Sequence, residues 1–238
     1  MVISASGGGW GPPAAAVAAP TVLDSALTAQ KEGEGTAGFS STVGVGTAGA
    51  TLLSWVGIRT AIYAGPVTGN NSNTHTQQFS QAYPSPFTTY SLRGFRCYSA
   101  AGTSNHSVSG TKSAGNSEEV TIALLALSGG TIVDEDVSQQ DNAGAGHTFT
   151  SGSVTVSGNA LLVAVASGDG NVNATAPTQT WPGSWTVRQS VAFGSGDAPN
   201  GHVPLYVATR SVTAGTYTVD VQVTIDEGLI IGLYAVQA

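Results

Sequence analysis

The sequence predicts an all-β protein, an antiparallel β-sandwich built from two similar halves behind an extended N-terminal arm. Three observations indicate this fold: the composition, the spacing of short apolar runs, and related segments about 109 residues apart. Of the 238 residues, only 9% are charged and 32 are glycine. Strands and tight turns accommodate glycine and small uncharged polar residues better than long solvated helices do. We therefore expect strands and turns along most of the chain.

The first 20 residues predict an extended arm. Gly7–Gly9 and Pro12-Pro13 interrupt regular structure, and Trp10 is a large apolar side chain to leave in water. We expect the arm to dock on a neighbouring subunit through Trp10, Pro12 and Pro13; a floppy tail is the alternative. No basic region precedes its apolar residues, so the arm is not typical of a signal peptide.

After the arm, β-like apolar runs alternate with clusters of Gly, Ser, Asn and Pro. The segment Val22–Gln30 is the one place where the pattern predicts a short helix. Runs such as ALLVAVA and LIIGLYAV are almost continuously apolar, which favours strands buried on both sides. The predicted strands are Gly38–Val45, Thr51–Ile58, Tyr90–Tyr98, His106–Gly110, Glu119–Leu127, His147–Val156, Ala160–Ala166, Trp185–Val191, Val203–Thr209, Thr216–Ile225 and Leu229–Val236.

An internal repeat is the most informative feature. FSSTVGVGTAGATLLSWVGI, from Phe39, resembles FTSGSVTVSGNALLVAVAS, from Phe149, and VTIALLAL resembles LIIGLYAV. The pair Leu52-Leu53 lies 109 positions before Leu161-Leu162, and Val120 lies 109 before Leu229. FRCYSA and PLYVAT align at nearly the same offset. The repeat predicts a six-strand unit at 38–128 and again at 147–238.

The domain organisation that follows has four parts: an arm at 1–20, a first half at 21–128, a linker at 129–146 and a second half at 147–238. The linker carries the acidic triplet Asp134-Glu135-Asp136. Whether the halves close separate sandwiches or share a sheet is left open by the sequence.

The segment PTVLDSALTAQ…FSSTVGVGTAGATLLSWVGI resembles the opening of a jelly-roll-like module of bacteriophage virion proteins (decoration, fibre and tail proteins) and bacterial surface proteins. Tyr90-Ser91-Leu92, His106–Gly110 and Val120–Leu127 resemble its later strands, as do GSWTV (183–187) and AGTYTV (214–219) in the second half. The resemblance implies the fold and a role in adhesion, decoration or carbohydrate contact, and it carries no catalytic residues. The arm and the long loop Gly65–Pro86 depart from it.

The charge pattern argues against several classes of partner. Seven Lys and Arg against fourteen Asp and Glu give a net charge of −7, and the cations are scattered. A nucleic-acid surface needs clustered cations, so we expect no nucleic-acid partner. No apolar stretch reaches the roughly 20 residues of a membrane helix, so we expect no membrane insertion. Cys97 is the sole cysteine, which excludes an intrachain disulfide, and we expect it to be a small buried side chain.

The pattern of reactive residues predicts no enzyme, no catalytic residues and no cofactor. None of the four histidines lies in a nucleophile elbow, and neighbouring acids on a strand point to opposite faces. Asp169–Asn173 begins like a calcium loop, but Ala174 stands where the turn glycine should be and Thr180 where the bidentate Glu should be. We therefore expect no metal site.

Aromatic residues supply the candidate ligand-binding set. Trp181 and Trp185 flank a Pro-Gly turn, and flat rings of this kind bind sugars by stacking. The favoured alternative places Trp185 in the core and Trp181 over the end of the sandwich. Tyr83 and Tyr90 lie in the polar segment Asn70–Tyr90, and loops of this composition make good contact surfaces for a glycan or for another subunit.

We expect a non-enzymatic virion structural protein of a tailed phage or phage-like particle: a capsid decoration, head-fibre or tail-associated protein. Its partners would be other virion proteins, copies of itself and a host surface glycan, with the protein assembled into the virion in the host cytoplasm. Many weak contacts on a repeating lattice would sum to firm attachment. The alternative is a secreted or cell-surface carbohydrate-binding module. The third hypothesis is a hydrolase built on a β scaffold.

Overall fold

The computed structural model describes residues 17–30, 37–44, 47–59, 63–84, 90–102, 105–113, 119–140, 148–168, 179–191, 203–223 and 229–238. Every regular element in these ranges is a β-strand, which confirms the predicted all-β class, and no helix able to cross a membrane occurs there. The strands are β1 (Val22–Gln30), β2 (Gly38–Val43), β3 (Ala50–Arg59), β4 (Thr68–Gly69), β5 (Thr76–Ala82), β6 (Tyr90–Ala100), β7 (His106–Thr111), β8 (Val120–Leu127), β9 (Thr131–Gln140), β10 (Thr148–Thr150), β11 (Val154–Val156), β12 (Ala160–Gly168), β13 (Gln179–Thr180), β14 (Thr186–Val191), β15 (Leu205–Val212), β16 (Gly215–Tyr217), β17 (Asp220–Val223) and β18 (Leu229–Gln237).

The first half of the chain forms a two-sheet sandwich, called here the first sandwich. Its large sheet has the order β1-β8-β3-β6-β5, and its small sheet has the order β2-β7-β4. All of the pairings are antiparallel. One apolar core fills the space between the two sheets, with Phe39 and Val108 on the small sheet facing Leu52, Phe95 and Leu124 on the large one.

The second half forms a second sandwich with the same strand order. Its large sheet runs β9-β18-β12-β15-β14, and its outer layer consists of the ladders β10-β17-β13 and β11-β16. The two ladders are separated by a short break, across which the Ser151 N–H donates to the Val219 carbonyl at 2.9 Å. Consecutive strands of each half alternate between its facing sheets except at β5–β6 and β14–β15, which pair within one large sheet, and at β10–β11 and β16–β17, which follow each other in the outer layer. The jelly-roll-like winding stays a prediction.

The two large sheets pack directly against each other, so the molecule has four β layers. Leu53, Trp55 and Leu125 of the first large sheet share a core with Val163 and Tyr234 of the second. At the edges, the Gln189 Nε2 of β14 donates to the Ser25 Oγ of β1 at 2.8 Å, and the Gln81 Nε2 of β5 donates to the Gln139 Oε1 of β9 at 2.6 Å. Each half therefore closes its own sandwich, which answers the question that the sequence left open.

This stacking explains the continuously apolar runs. In β8, Ile122 and Leu124 face the first small sheet, while Ala123 and Leu125 face the second large sheet. The strand is buried at all eight positions because both of its faces are covered. Strands β12 and β18 are buried in the same way, as the sequence predicted for ALLVAVA and LIIGLYAV.

Three sequence-based assignments are wrong. Val22–Gln30 is the strand β1 and not a helix, because it pairs along its length with β8. Residues 131–140, inside the predicted linker 129–146, form β9, because Thr131–Gln140 pairs with β18. The predicted long loop Gly65–Pro86 contains β4 and β5, which cross from the small sheet to the large sheet.

The strand register also corrects the repeat alignment. Thr51 pairs with Leu127 and Leu161 pairs with Val236, so Leu161 corresponds to Thr51, 110 positions earlier, and not to Leu52. Leu52 faces the outer core of its sandwich, whereas Leu161 faces the core between the large sheets. A slip of one residue reverses the two faces of a strand, so the 109-residue alignment of these leucines is wrong. The strand pairing also shows that the alignment of FRCYSA with PLYVAT is wrong. Leu52 pairs with Cys97 and its counterpart Leu162 pairs with Arg210, so Cys97 corresponds to Arg210.

Candidate functional site

The base of the N-terminal arm is fixed to the folded body. The predicted docking residues Trp10, Pro12 and Pro13 lie outside the described residues, which begin at Val17. The Val17 carbonyl accepts a 3.0 Å hydrogen bond from Asn159 Nδ2, a residue in the turn before β12. Further along, the Thr21 carbonyl accepts from the Ser128 N–H at 2.9 Å. The arm base thus bridges the second sandwich, at Asn159, and the first, at Ser128.

Two shallow grooves flank the arm base on the second sandwich. One has a volume of about 540 Å³ and is lined by Val17, Val133, Ser157, Gly158, Asn159, Ala214, Gln237 and Ala238. The other has a volume of about 550 Å³ and is lined by Ala18, Ala19, Asn159, Arg210, Ser211, Val212, Thr213 and Tyr217. Both are bounded by the turn at Asn159 and by the turn that joins β15 to β16.

The grooves carry exposed apolar surface. Val17 is 67% exposed and Val133 is 48% exposed, and they are two of the three large apolar side chains exposed among the described residues. The charged lining residue is Arg210, whose guanidinium carbon lies 5.8 Å from the centre of the Tyr217 ring. An exposed apolar patch rimmed by polar groups is typical of a contact surface, so we identify this region as the candidate docking surface.

Most of the predicted sugar-binding rings are buried. Trp181 and Trp185 are each 8% exposed and lie in the core of the second sandwich, with ring centres 6.0 Å apart. Tyr83 is 1% exposed, and its hydroxyl is 2.5 Å from the Ser167 Oγ of the second half. The two tryptophans follow the packing alternative that the sequence favoured. Trp181 also lines a small pocket of about 200 Å³ together with Pro182 and Asp220. The burial of the three rings disfavours sugar stacking, and their assignment as stacking platforms stays a prediction.

Tyr90 is the fourth ring of that set and is partly buried. It stacks on Tyr83, with ring centres 6.4 Å apart and planes inclined by 10°. The structure therefore brings Tyr83 and Tyr90 together, as it does Trp181 and Trp185, while the two pairs belong to different apolar cores. The four residues do not form one site.

One hydroxyl-histidine pair occurs inside the first sandwich. The Ser54 Oγ lies 3.5 Å from the His75 Nδ1, and both residues are buried. Burial, and secondly the neighbouring His106, lowers the pKa of His75 to about 4. A buried pair of this kind gives a substrate no access. His147 and His202 lie outside the described residues.

The acidic residues are engaged with the backbone. Asp134 Oδ2 accepts from the Thr155 N–H at 2.7 Å, and Asp136 Oδ1 accepts from the Gly152 N–H at 2.9 Å. Within the described ranges, no three or more His, Cys, Asp or Glu side chains are grouped so that they could hold a metal ion. The segment Asp169–Asn173 falls outside those ranges. Cys97 is buried in the first core as expected, and burial raises the pKa of its thiol.

Comparison of the chain with protein-family models, with curated proteins and with solved structures found no match.

The grooves beside Asn159 were not found by the sequence reasoning. Their lining comes from segments as far apart as Val17, Val133 and Ala214, and none of these has a distinctive local pattern. The sequence does carry a signal for the segment that contains Val133. IVDEDVSQQ, from Ile132, resembles VLDSALTAQ, from Val22, and this similarity would have identified β9 as a repeated element.

Proposed function

We propose that this protein is a non-enzymatic structural protein of a tailed-phage or phage-like particle, attached through its N-terminal arm. The observation that carries the proposal is the anchored arm base: Asn159 holds the Val17 carbonyl beside two open grooves. Because the chain is fixed at Val17, the 16 residues before it start from a defined point on the surface, from which they can contact a neighbouring protein. The four packed β layers provide the rigid body that such a protein presents outward.

The candidate docking surface supports contact with a neighbouring protein. It combines exposed Val17 and Val133 with amide and hydroxyl groups at the rim, including Asn159 and Gln237. Each groove is shallow, so a single contact of this kind is expected to be weak. Repetition over a lattice multiplies weak contacts into firm attachment.

The test is a truncation in the particle. Particles are purified from cells that express either the full chain or a chain lacking residues 1–16, and the polypeptide is quantified by mass spectrometry. We expect the full chain in the particles at a fixed stoichiometry. The truncated chain should keep its far-ultraviolet circular dichroism and solubility, because Thr21–Ser128 and the sandwich cores remain, but it should be lost from the particles.

A point variant tests the hydrogen bond that fixes the base of the arm. Asn159→Ala removes the hydrogen bond to Val17, whereas Ser157→Ala changes a hydroxyl that borders the same groove. We expect reduced incorporation of the first variant and little change for the second. Full incorporation of the truncated chain would show that the arm does not attach the protein, and absence of the full chain from all particles would remove the virion assignment.

Carbohydrate binding is the rival function, and a glycan array measures it directly. The burial of Tyr83, Trp181 and Trp185 disfavours it. We expect no binding by the folded full chain. Dose-dependent binding to a defined glycan would favour the rival function.

A further inference from the structure

A turn built by asparagine side chains closes one end of the first sandwich. It spans residues 70–75, where the chain crosses from β4 in the small sheet to β5 in the large sheet. The Asn70 Nδ2 donates to the Asn105 carbonyl at 3.0 Å, and its Oδ1 accepts from the Ser107 N–H at 2.8 Å. Residues 70–75, together with Ala101 and Asn105–Ser107 to which they bond, are called here the clasp.

The inner part of the clasp is buried. Asn73 accepts from the Ala101 N–H at 2.7 Å, and its Nδ2 lies 3.3 Å from the Nδ1 of His106. Asn71 and Ser72 have φ values of 53° and 59°, so the turn uses the left-handed backbone region at two non-glycine residues. Such a conformation persists when surrounding contacts hold it. Here the side-chain bonds to Ala101 and Asn105 supply those contacts.

His75 is the innermost residue of the turn. It is 6% exposed, and the Ser54 Oγ lies 3.5 Å from its Nδ1. The ring also packs over Gly69, where an added Cβ would lie 2.9 Å from His75 Cδ2. The Nε2 atoms of His75 and of the fully buried His106 have no hydrogen-bond partner within the described part of the chain. Two imidazoles thus share an interior that offers their Nε2 atoms no acceptor.

Within the described residues, no carboxylate contributes to the pKa shift of His75. Burial is the main cause that lowers its pKa to about 4, and the second cause is His106. On the packed strands, Cys97 of β6 is a buried thiol, Arg93 of β6 lies over the Tyr63 ring, and the Oδ2 of Asp24 on β1 accepts from the Gly44 N–H. The Arg96 guanidinium, opposite Thr76, is directed to the Tyr98 ring. A proton added to His75 would therefore be a buried charge without a carboxylate partner.

We propose that the clasp is an acid-sensitive latch: protonation of His75 releases the crossing between β4 and β5 while the second sandwich remains folded. The described residues of the second sandwich contain no histidine, and His147 and His202 of the second half lie outside them. The latch would open the side of the first sandwich on which His75 and His106 meet. This inference is independent of the proposed function.

The direction of the pH effect follows from proton linkage. A histidine whose pKa falls from 6.5 to about 4 when it is buried stabilises the closed state above pH 6.5. That contribution is lost as the pH falls from 6.5 towards 4. Between pH 6.5 and 4.5 a single such group changes the closing equilibrium by roughly 40-fold.

Hydrogen exchange tests the latch. Amide protection, corrected for the intrinsic rate at each pH, is measured at pH 7 and pH 4.5 for the full chain. We expect the Asn73, Ala101 and Ser107 amides, which bond to Asn70 or Asn73, to lose at least tenfold in protection at pH 4.5. Amides of β12 serve as the internal control and should change less than threefold. Protection should return at pH 7.

The variant His75→Gln supplies a side chain that can bond to Ser54 but cannot be protonated. We expect its clasp amides to keep their protection at pH 4.5, with an unchanged circular dichroism spectrum at pH 7. Equal acid loss in this variant would overturn the proposal. Should the variant fail to fold, the His75 imidazole is titrated by NMR in the unmodified chain; a loss of clasp protection whose midpoint differs from that titration would also overturn it.

Discussion

The ring of Phe79 lies over Gly94, on the neighbouring strand, where any other residue would carry a side chain. A Cβ at Gly94 would lie 2.1 Å from Phe79 Cε1. Phe79 in turn stacks on Tyr234 of the second sandwich, with ring centres 6.4 Å apart. The ring cannot move away freely because it is held between the two large sheets. Gly94 is thus required by packing at the junction of the halves.

Replacing Gly94 tests this packing. We expect Gly94→Ala to lower the free energy of unfolding by about 1–3 kcal/mol, the usual cost of overfilling a packed core. Gly38→Ala is the matched control, because a Cβ there meets nothing within 4 Å. Urea denaturation followed by circular dichroism gives both values. Equal stability of the two variants would contradict the packing role.

At the scale of the element, β1 and β9 make the same contacts in the two halves. Asp24 Oδ2 accepts from the Gly44 N–H at 2.8 Å, and Asp134 Oδ2 accepts from the Thr155 N–H at 2.7 Å. Gln30 Nε2 donates to the Gly38 carbonyl, and Gln140 Nε2 donates to the Thr150 carbonyl. Each strand also has a register shift in its ladder, next to Asp24 or Asp134. The two aspartates and the two glutamines are each 110 positions apart, which supports our interpretation that one unit occurs twice.

The paired aspartates allow a direct comparison. We expect Asp24→Ala and Asp134→Ala each to cost about 1–2 kcal/mol of stability, because each leaves a backbone N–H without its charged acceptor. Glu135→Ala is the control, since Glu135 is exposed on β9. Denaturation midpoints at pH 7 measure all three. A cost confined to one aspartate would argue against equivalent roles for β1 and β9.

The edge strands of both large sheets have irregular ladders. The edge strands are β1 and β5 in the first large sheet and β9 and β14 in the second, and the ladder at each edge contains a register shift. A bulge twists an edge and makes it a poorer template for pairing with another chain. We therefore expect contacts of this protein to use side chains and the arm rather than strand addition.

Fold class and core residues could be predicted because burial on both faces leaves a local pattern, as in VTIALLAL and ALLVAVA. The segment VLDSALTAQ was predicted as a helix since Ala, Leu and Gln favour helices, and its pairing with β8 overrode that preference. The clasp could not be predicted because Asn70 and Asn73 bond to residues about 30 positions away. The grooves depend in the same way on contacts between distant segments.

At the scale of the whole molecule, polar bonds cross the core between the two large sheets. The Tyr83 hydroxyl lies 2.5 Å from the Ser167 Oγ, and the Thr121 hydroxyl donates to the Val203 carbonyl at 2.6 Å. Trp55 Nε1 donates to the Tyr234 hydroxyl at 3.3 Å. These bonds satisfy polar groups in an otherwise apolar layer and fix how the two sandwiches pack on each other.

Removing one of these bonds should weaken the whole molecule. We expect Tyr83→Phe to cost about 1 kcal/mol, the usual net value of one buried hydrogen bond. The control is Tyr217→Phe, whose hydroxyl donates to the Thr213 carbonyl on the exposed surface of one half. Both are measured by thermal denaturation at pH 7. A larger effect in the control would argue against a stabilising bond between the halves.

The arrangement in four layers is tested most directly by native-state hydrogen exchange at pH 7. Strands β3 and β8 of the first half and β12 and β18 of the second are covered on both faces. We predict that their amides are the slowest in the chain and share one opening free energy, because they are exposed only when both sandwiches come apart. Rapid exchange in these strands, or two widely different opening free energies for the two halves, would contradict a single four-layer body.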